Sequence, residues 1–231
     1  MCEPNGRLRR MVTIALLSIV ALISIGHGQG ACGEPELAQF RGPADGIADE
    51  GWKHYAVEEG VTLERRQPKG SAFYEHRAQV VVALSPEQVL DEIWRSIRDG
   101  DMDSLKKRQI LRDSPSELLV YDQIRTPIVS DRDYTIWMRR SFDPASRRGE
   151  IRCETANDLG PALPKDLVRV PIVRGGWVVE PNPAGTKITY YAFSEPGGRI
   201  AAFLARRAQA KRSMADVRHM LGRLLRLPSR K

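Results

Sequence analysis

The chain has few of the residues that build disulfide scaffolds and metal centres. Its 231 residues include three cysteines and four histidines. No HExxH motif, no zinc-type cysteine spacing and no glycine-rich phosphate loop occurs. None of the histidines is paired with a serine, a cysteine or a metal-ligating residue at a useful spacing. These absences exclude a disulfide-rich domain and the common zinc and phosphate-loop enzymes, and we expect no cofactor and no bound metal.

Long apolar segments are also absent. The longest apolar run, residues 11–25, is uncharged and 15 residues long, whereas a membrane-spanning helix needs about 20. Three arginines precede this run and small residues follow it at Gly26, Gly28, Gly30 and Ala31, as in a secretory signal. We therefore expect residues 1–30 to be a signal peptide that directs the protein to the periplasm or cell envelope. A membrane anchor that is not cleaved is the alternative.

Cysteine usage leaves two further questions open. Cys32 follows Gly30 and Ala31 and could carry a lipid after cleavage, although Gln29 occupies the position where lipoprotein signals have an apolar residue. Export would also permit a disulfide between Cys32 and Cys153. The simpler interpretation of Cys153 is a small buried hydrophobic residue within a strand.

The positive charge of the chain is confined to its C-terminal segment. Residues 199–231 contain ten Lys or Arg and one acidic residue, a net charge of +9, so the rest of the chain carries −2 of the total +7. Such a segment, in an exported protein, favours an anionic membrane surface over nucleic acid as a partner. We expect a monomer that does not bind nucleic acid.

The pattern of residues predicts one α+β domain, residues 52–231, after a lead-in segment at 31–51. Glu34–Gly60 is interpreted as a loose region with one short helix. Strand-like runs at Val61–Arg65 and Ser71–Leu84 predict a hairpin, and Ser85, Pro86, Gln88 and Gly100 mark the start and end of a helix. A short helix is expected near Met102–Lys107, then about six strands up to Pro196 and a long terminal helix. An antiparallel sheet in this order must curl around a helix to bury one face.

Several segments resemble the START (steroidogenic acute regulatory-related lipid transfer) family, in its bacterial exported form. They are YDQIRTPIVSDRDY at 121–134, VR at 168–169, GGWVVEP at 175–181 and TKITYYAFSEPGG at 186–198, in the family's order and followed by the long helix. The resemblance extends over about Trp52 to Leu225. It implies a helix-grip fold: a curved antiparallel sheet wrapped around the long C-terminal helix, with an internal cavity for one lipid or sterol-like molecule and no enzymatic activity.

The resemblance also implies site residues. Steroid-binding members have a buried carboxylate and a buried arginine that face each other, and an ungapped count places these positions at Leu119 and Met138. We therefore expect a more apolar tunnel, lined by Leu119, Tyr121, Ile136, Met138, Trp177 and Tyr190. Tyr121 could instead be a core tyrosine, and Tyr191 could replace Tyr190, because a slip of one residue exchanges the two faces of a strand. Arg132 and Asp133, with Arg169, are expected to stabilise a turn by hydrogen bonds, with a ligand clamp as the alternative.

The terminal helix combines an apolar stripe with basic residues. The resemblance implies that this helix and the loop Asn157–Lys165 form a lid over the lipid, with Ile200, Phe203 and Leu204 against the ligand. We expect Arg206, Arg212, Arg223 and Arg226 to contact anionic lipid head groups, each contributing about 1 kcal/mol. An ordinary solvated helix face is the alternative.

Two other functions stay open. One is a cavity enzyme of the cyclase or hydrolase type, for which Asp122, Glu154 and Tyr190 are the available acid or base groups. The other is a solid domain that binds a protein through its basic helix. The number of ionisable side chains that converge in the cavity distinguishes the first from a lipid carrier, and a filled core would select the second.

Overall fold

The structure is a computed structural model that describes residues 51–126 and 129–228. The predicted signal peptide, Cys32 and nearly all of the lead-in segment lie outside the described residues. Cys153 has no disulfide partner among the residues described.

The described chain folds into one curved sheet of ten strands. In chain order the strands are β1 (Lys53–Glu58), β2 (Val61–Arg66), β3 (Glu75–Val82), β4 (Leu105–Asp113), β5 (Glu117–Ile124), β6 (Arg132–Asp143), β7 (Arg148–Thr155), β8 (Val168–Arg169), β9 (Ile172–Asn182) and β10 (Gly185–Glu195). Their order across the sheet is β1-β2-β3-β10-β9-β7-β6-β5-β4, and β8 pairs with β6. All pairs are antiparallel except β6 with β8, which is parallel.

The first helix, α1 (Pro86–Asp99), begins and ends as its sequence predicts. The Ser85 hydroxyl accepts from the Gln88 amide, and the Gln88 side chain accepts from the Ser85 amide, so the capping box is complete. Gly100 ends the helix in a left-handed conformation at φ 69°. Both predicted ends of the helix are confirmed. They could be predicted because the capping interactions join residues that are close in sequence.

Of the two short helices expected from the sequence, the first falls mostly outside the described residues and the second was wrong. The described part of Glu34–Gly60 contains strand β1, joined to β2 by Glu59 and Gly60, both at positive φ. Such a two-residue turn matches the twist of paired strands. Near Met102–Lys107 there is no helix; β4 starts at Leu105, and pairing with β5 outweighs the local helical preference.

The second helix, α2 (Ala202–Leu224), lies in the concavity of the sheet, against β2, β3, β10 and α1. Its C-terminal half contributes Met214, Val217, Met220 and Leu224 to the hydrophobic core. The predicted helix-grip architecture is thereby confirmed. Neither described helix is long and apolar enough to cross a bilayer.

Candidate ligand cavity

The strand register assigns each side chain to the inner face, towards α2, or to the outer face. Residues directly opposite in an antiparallel pair share a face, and Leu118 opposes Met138 while Val120 opposes Ile136. All four belong to the core on the inner face. Met138 and Ile136 thus lie on the expected side, as do Trp177 and Tyr190, which oppose each other on β9 and β10.

Leu119 and Tyr121, by contrast, lie on the outer face, and their assignment to the tunnel was wrong. They oppose Trp137 and Thr135 rather than Met138 and Ile136. Tyr121 is a buried tyrosine whose hydroxyl donates to Asp133 Oδ2 at 3.0 Å and accepts from the Gln123 amide at 3.0 Å. The segment that follows β7 covers the outer face next to Tyr121, since a Cβ on Gly160 would collide with Thr135, the residue opposite Tyr121.

Asp133 holds the covering segment in place. Its fully buried carboxylate accepts two hydrogen bonds from Arg169, at 2.8 and 2.7 Å, and Arg169 also donates to the Pro161 carbonyl at 3.0 Å. Arg132, one residue earlier, is buried on the inner face and donates to the carbonyl oxygens of Ser130 and Pro196. Asp133 and Arg169 therefore stabilise the loop, while Arg132 connects β6 to the segment before α2.

Three inner-face side chains identify an internal cavity. Tyr134, Cys153 and Tyr190 each keep some surface that a water-sized probe can reach. Desolvation nevertheless raises the pKa of both tyrosines and raises the pKa of the Cys153 thiol to about 12. Surface in contact with bulk solvent would not be desolvated in this way. Tyr134, Cys153 and Tyr190 are therefore the candidate lining of a ligand space between the sheet and α2.

Polar groups of α2 face the same space. Tyr190 Oη donates to Asp216 Oδ2 at 3.3 Å, and Arg212 Nε donates to Asp216 Oδ1 at 2.7 Å. Arg212 also donates to the Ser104 hydroxyl at 3.1 Å. Burial raises the pKa of Asp216, although 29% of its side chain is accessible. The carboxylate is thus a cavity group and not a surface group.

A second ion pair lies beneath Tyr134. Asp122 is fully buried on the inner face, opposite Tyr134, and accepts from Arg108 at 2.7 and 2.6 Å. Arg108 also donates to the Ile97 carbonyl of α1. Glu154, the remaining acid considered from the sequence, lies outside the cavity, where it pairs with Arg139.

The segment before α2 borders a pocket of about 180 Å³ at this end of the sheet. Its lining residues are Phe73, Pro171, Glu195, Pro196, Gly197, Gly198 and Ile200. Ile200 lines this pocket, and its contact with a ligand stays a prediction. Phe203 and Leu204 do not line it, since they are 69% and 54% exposed and point away from the core. Both residues belong to the first turn of α2, which starts at Ala202 after a turn at Gly197 and Gly198. In this turn the buried residue is Ala205, so Phe203 and Leu204 lie on the exposed side of the helix.

Three of the four arginines expected at a membrane are engaged within the protein. Arg206 donates to the Ala72 carbonyl at 2.5 Å and lies over the Tyr74 ring, and Arg212 bonds Asp216. Arg223 joins α2 to α1 through Glu92, at 2.7 Å, and also pairs with Asp101. Arg226 alone among the four is exposed without a described ion pair. Only for Arg223 are the acidic partners distant in sequence.

Sequence reasoning missed Tyr134, Cys153 and Asp216 as cavity residues. Tyr134 was visible as the aromatic residue of the Arg-Asp-aromatic motif, and its alternation with Ile136 and Met138 could have placed it. Asp216 was visible as the single acidic residue of a basic helix, which is a signal for a specific partner. Within the described chain, no group of three or more His, Cys, Asp and Glu side chains could hold a metal ion.

Comparison with known proteins shows similarity in sequence and in fold. No protein-family model matches the chain. It is 26% identical to the human phosphatidylcholine transfer protein over 174 residues, which cover 72% of this chain and 79% of that protein. A STAR-related lipid transfer protein from Xanthomonas axonopodis superposes with a TM-score of 0.67 at 24% identity, over 77% of this chain and all of that fragment. The chain therefore has the fold of START domains, and its sequence resembles that of a lipid transfer protein. Human STARD10 shares this fold, with a TM-score of 0.63 at 17% identity over 77% of this chain and 74% of that one.

Proposed function

We propose that this START-fold domain binds one lipid molecule in the cavity between the sheet and α2, and carries it between membranes without chemical change. The observation that carries the proposal is the combination of accessible surface and strong desolvation at Tyr134, Cys153 and Tyr190. A space between the sheet and α2 that is lined by aromatic rings favours an apolar ligand. The similarity to a phosphatidylcholine transfer protein supports a lipid as that ligand.

The proposal includes a gate at the N-terminal end of α2. Gly197 and Gly198 both have positive φ, at 65° and 63°, and their Cα positions lie close to Arg169 and Val168 of β8. A movement of this segment would open the side of the cavity next to the loop Asn157–Lys165. Loops that cover a binding site commonly control entry and release in this manner.

The outer surface near this gate suits a membrane. Leu159 and Leu163 of the loop are 50% and 52% exposed, and Phe203 and Leu204 are more than half exposed. Near the N-terminal end of α2 the exposed basic residues are Arg199, Arg207 and Lys211. Apolar residues interspersed with cations favour binding to anionic lipid surfaces.

The membrane proposal is tested with charge reversal. Replacing Arg199, Arg207 and Lys211 by Glu should reduce binding to vesicles of phosphatidylcholine with 30% phosphatidylserine, roughly the composition at which surface charge matters. Arg226→Glu, at the opposite end of α2, is the matched control and should bind as the parent does. Equal binding by the triple variant and the parent would contradict a membrane contact at the gate.

The location in the cell is a further part of the proposal. The charged and then apolar residues before Gly26 support export to the periplasm or cell envelope. Intact-mass measurement of protein from the envelope fraction should show a mature chain that begins between Gln29 and Cys32. A mass that retains residues 1–25 would indicate a membrane anchor instead.

Lipid binding is tested by native mass spectrometry of the full chain purified without detergent. We expect a complex with one lipid, released on denaturation, and transfer of fluorescent lipid from donor to acceptor vesicles. Protein that carries no lipid and transfers none of the common phospholipids, diacylglycerols and sterols would overturn the proposal.

One observation favours a second function, a cavity enzyme. The pair of Asp216 with Arg212 and two tyrosines face one space, which is more ionisable side chains than a purely apolar tunnel requires. Desolvation raises the pKa of Asp216, so this carboxyl is better able to act as an acid near neutral pH. The same native mass spectrometry separates the two functions, because a carrier returns its lipid unchanged and an enzyme alters its mass.

A further inference from the structure

Arg132 is a buried cation on the inner face of β6, and it is 4% exposed. Its hydrogen bonds in the described chain go to the carbonyl oxygens of Ser130 and Pro196, which carry no charge. The carboxylates next to it in sequence, Asp131 and Asp133, form their ion pairs with other residues. The guanidinium therefore has acceptors for its hydrogen bonds but no counter-ion among the described residues.

The other arginine and carboxylate side chains that are buried in the described chain each have a partner of opposite charge. They are Arg77, Glu92, Asp122, Asp133 and Glu150. The bond to Asp133 raises the pKa of Arg169, whereas desolvation lowers the pKa of Arg132. Because a buried charge is strongly destabilising unless it is paired, the position of Arg132 suits an anion that the chain itself does not supply.

One side of this guanidinium is open towards the pocket beneath the gate. Nε and Nη1 donate to the two carbonyls, whereas Nη2 has no described partner. Nη2 is also not among the buried atoms that lack a partner, so a water-sized probe reaches it. It lies 4.0 Å from the point that a Cβ on Gly198 would occupy, and Pro196 and Gly198 line the pocket of about 180 Å³. The Nη2 hydrogens are thus available to a group in that pocket.

Two neighbouring side chains bear on what can bind there. Tyr134 is two residues from Arg132 on the same face, about 7 Å along the strand, and its hydroxyl has no described hydrogen-bond partner. A phenol hydroxyl can donate to an anionic oxygen. Glu195 lines the same pocket and accepts from the Ser71 hydroxyl at 3.2 Å, and it forms no described ion pair with Arg132. One cation and one hydroxyl on a single strand therefore remain for the oxygens of a phosphate or carboxylate.

We infer that Arg132 binds an anionic oxygen group of the lipid, a phosphate or a carboxylate, at the gate end of the cavity, with the Tyr134 hydroxyl as a second donor. The inference rests on the proposed function and deepens it, because it assigns the charge of the ligand and the position of its polar end. Hydrogen bonds from a guanidinium to an anion are roughly twice as strong as those between neutral groups.

The test compares ligands with and without an anionic group on the same chains. Delipidated full-length protein is titrated near neutral pH, below the concentrations at which the ligands aggregate. One pair is dioctanoylphosphatidic acid and dioctanoylglycerol, and the other is decanoate and decanol. We expect the anionic member to bind at least about 10-fold more tightly, the effect of one charge-assisted hydrogen bond. A preference in one pair only identifies the anion as a phosphate or as a carboxylate.

Arg132→Gln removes the charge and keeps an amide that can donate to a carbonyl. It should reduce the preference to less than about 2-fold and leave the affinities for decanol and dioctanoylglycerol near those of the parent. A purely structural role of Arg132 would instead weaken the binding of all the ligands together. If the Gln variant does not fold, Arg132→Lys replaces it. Lysine keeps the charge but lacks the guanidinium fork, so the preference should fall at least about 3-fold.

Arg125→Gln is the matched control. Arg125 follows Ile124, the residue opposite Arg132, but its side chain is exposed. The variant loses the same charge near the same end of the sheet and should keep the parent's preference in both pairs. An equal loss of preference in this variant would assign the effect to the overall charge of this end and would contradict a site at Arg132.

The outcomes separate the inference from the function. Protein that binds none of these ligands, and no longer-chain lipid in native mass spectra, contradicts the proposed function itself. If the parent binds each alcohol as tightly as its anion, the cavity still binds lipid but the inference is wrong. If the Arg132 variant keeps the parent's preference, another group binds the anion and the inference is again wrong.

Discussion

The two halves of the inner face differ in what covers them. Towards α1, the residues Leu118, Ile151, Val179 and Ile188 are at most 1% exposed, packed beneath large side chains of α1 such as Leu90 and Ile93. Towards the gate, Tyr134, Cys153, Tyr190 and Ile124 keep accessible surface. We call these the packed half and the hollow half. One sheet carries both, so the strands alone do not decide whether a core is solid.

The second layer makes the difference. The C-terminal half of α2 buries Met214, Val217, Met220 and Leu224, whereas its N-terminal half buries Ala205 and Ala210. Because Ala205 and Ala210 have short side chains, they do not fill the space between the backbone of α2 and the sheet. Side chains along such a space lack dispersion partners on one side, and an apolar ligand supplies them. The small buried residues in the N-terminal half of α2 and the large ones in its C-terminal half thus account for the difference between the two halves of the inner face.

The largest loss of stability should follow removal of the buried ion pair between Asp133 and Arg169, which lies on the outer face of the hollow half. Asp133→Ala would leave the Arg169 guanidinium and the Tyr121 hydroxyl without their buried acceptor, at a cost of about 4 kcal/mol in the free energy of unfolding. Glu154→Ala is the control on the same face, because its pair with Arg139 is exposed and should contribute less than about 1 kcal/mol. Urea denaturation measures both. Similar losses for the two variants would show that the Asp133 pair does not hold this end.

The next effect compares two residues of one strand. Leu118 and Ile124 both point inwards from β5, the first into the packed half and the second into the hollow half. Leu118→Ala should cost about 3 kcal/mol because it opens a cavity in filled core. Ile124→Ala should cost less than about half as much in the lipid-free protein. Equal losses in urea denaturation would mean that the two halves are packed alike.

The sequence predicted some features of these strands and of the helices next to them, and not others. The Ser85 cap was predicted because its partners lie within three residues. The face of Leu119 and Tyr121 was not, because residues 118–122 are buried on both sides of the sheet and leave no alternation of polar and apolar residues. Likewise, Arg223 looked solvated because its acidic partner Glu92, on α1, becomes a neighbour only in the folded chain. The pair of Arg212 with Asp216, four residues along the same helix, could have been predicted from the spacing. Local signals were readable, and tertiary partners were not.

Acid should lower the free energy of unfolding through protonation of His76. This histidine is 1% exposed on β3, and burial, with Arg65 nearby, lowers its pKa from 6.5 to about 4. Because the unfolded chain binds the proton more readily, stability is complete above pH 6.5 and falls as the pH drops towards 4, by about 3 kcal/mol. Unfolding measured between pH 7 and pH 4 should show this loss. His76→Phe should flatten the profile over that range, and an unchanged slope would place the acid sensitivity in another group.

The smallest predicted change in stability distinguishes the two halves because it should have opposite signs in them. Cys153→Phe puts a large ring into the hollow half, where burial of the added apolar surface should stabilise the lipid-free protein by about 1 kcal/mol. Val179→Phe, an equivalent enlargement of a fully buried residue of the packed half, should destabilise it by about 2 kcal/mol because the core must be displaced. The stabilised Cys153 variant should at the same time lose lipid in native mass spectra, since the ring occupies the ligand's space. If Cys153→Phe destabilises the domain as Val179→Phe does, the space beside Cys153 is too small for a ligand, and the lipid must bind elsewhere along α2.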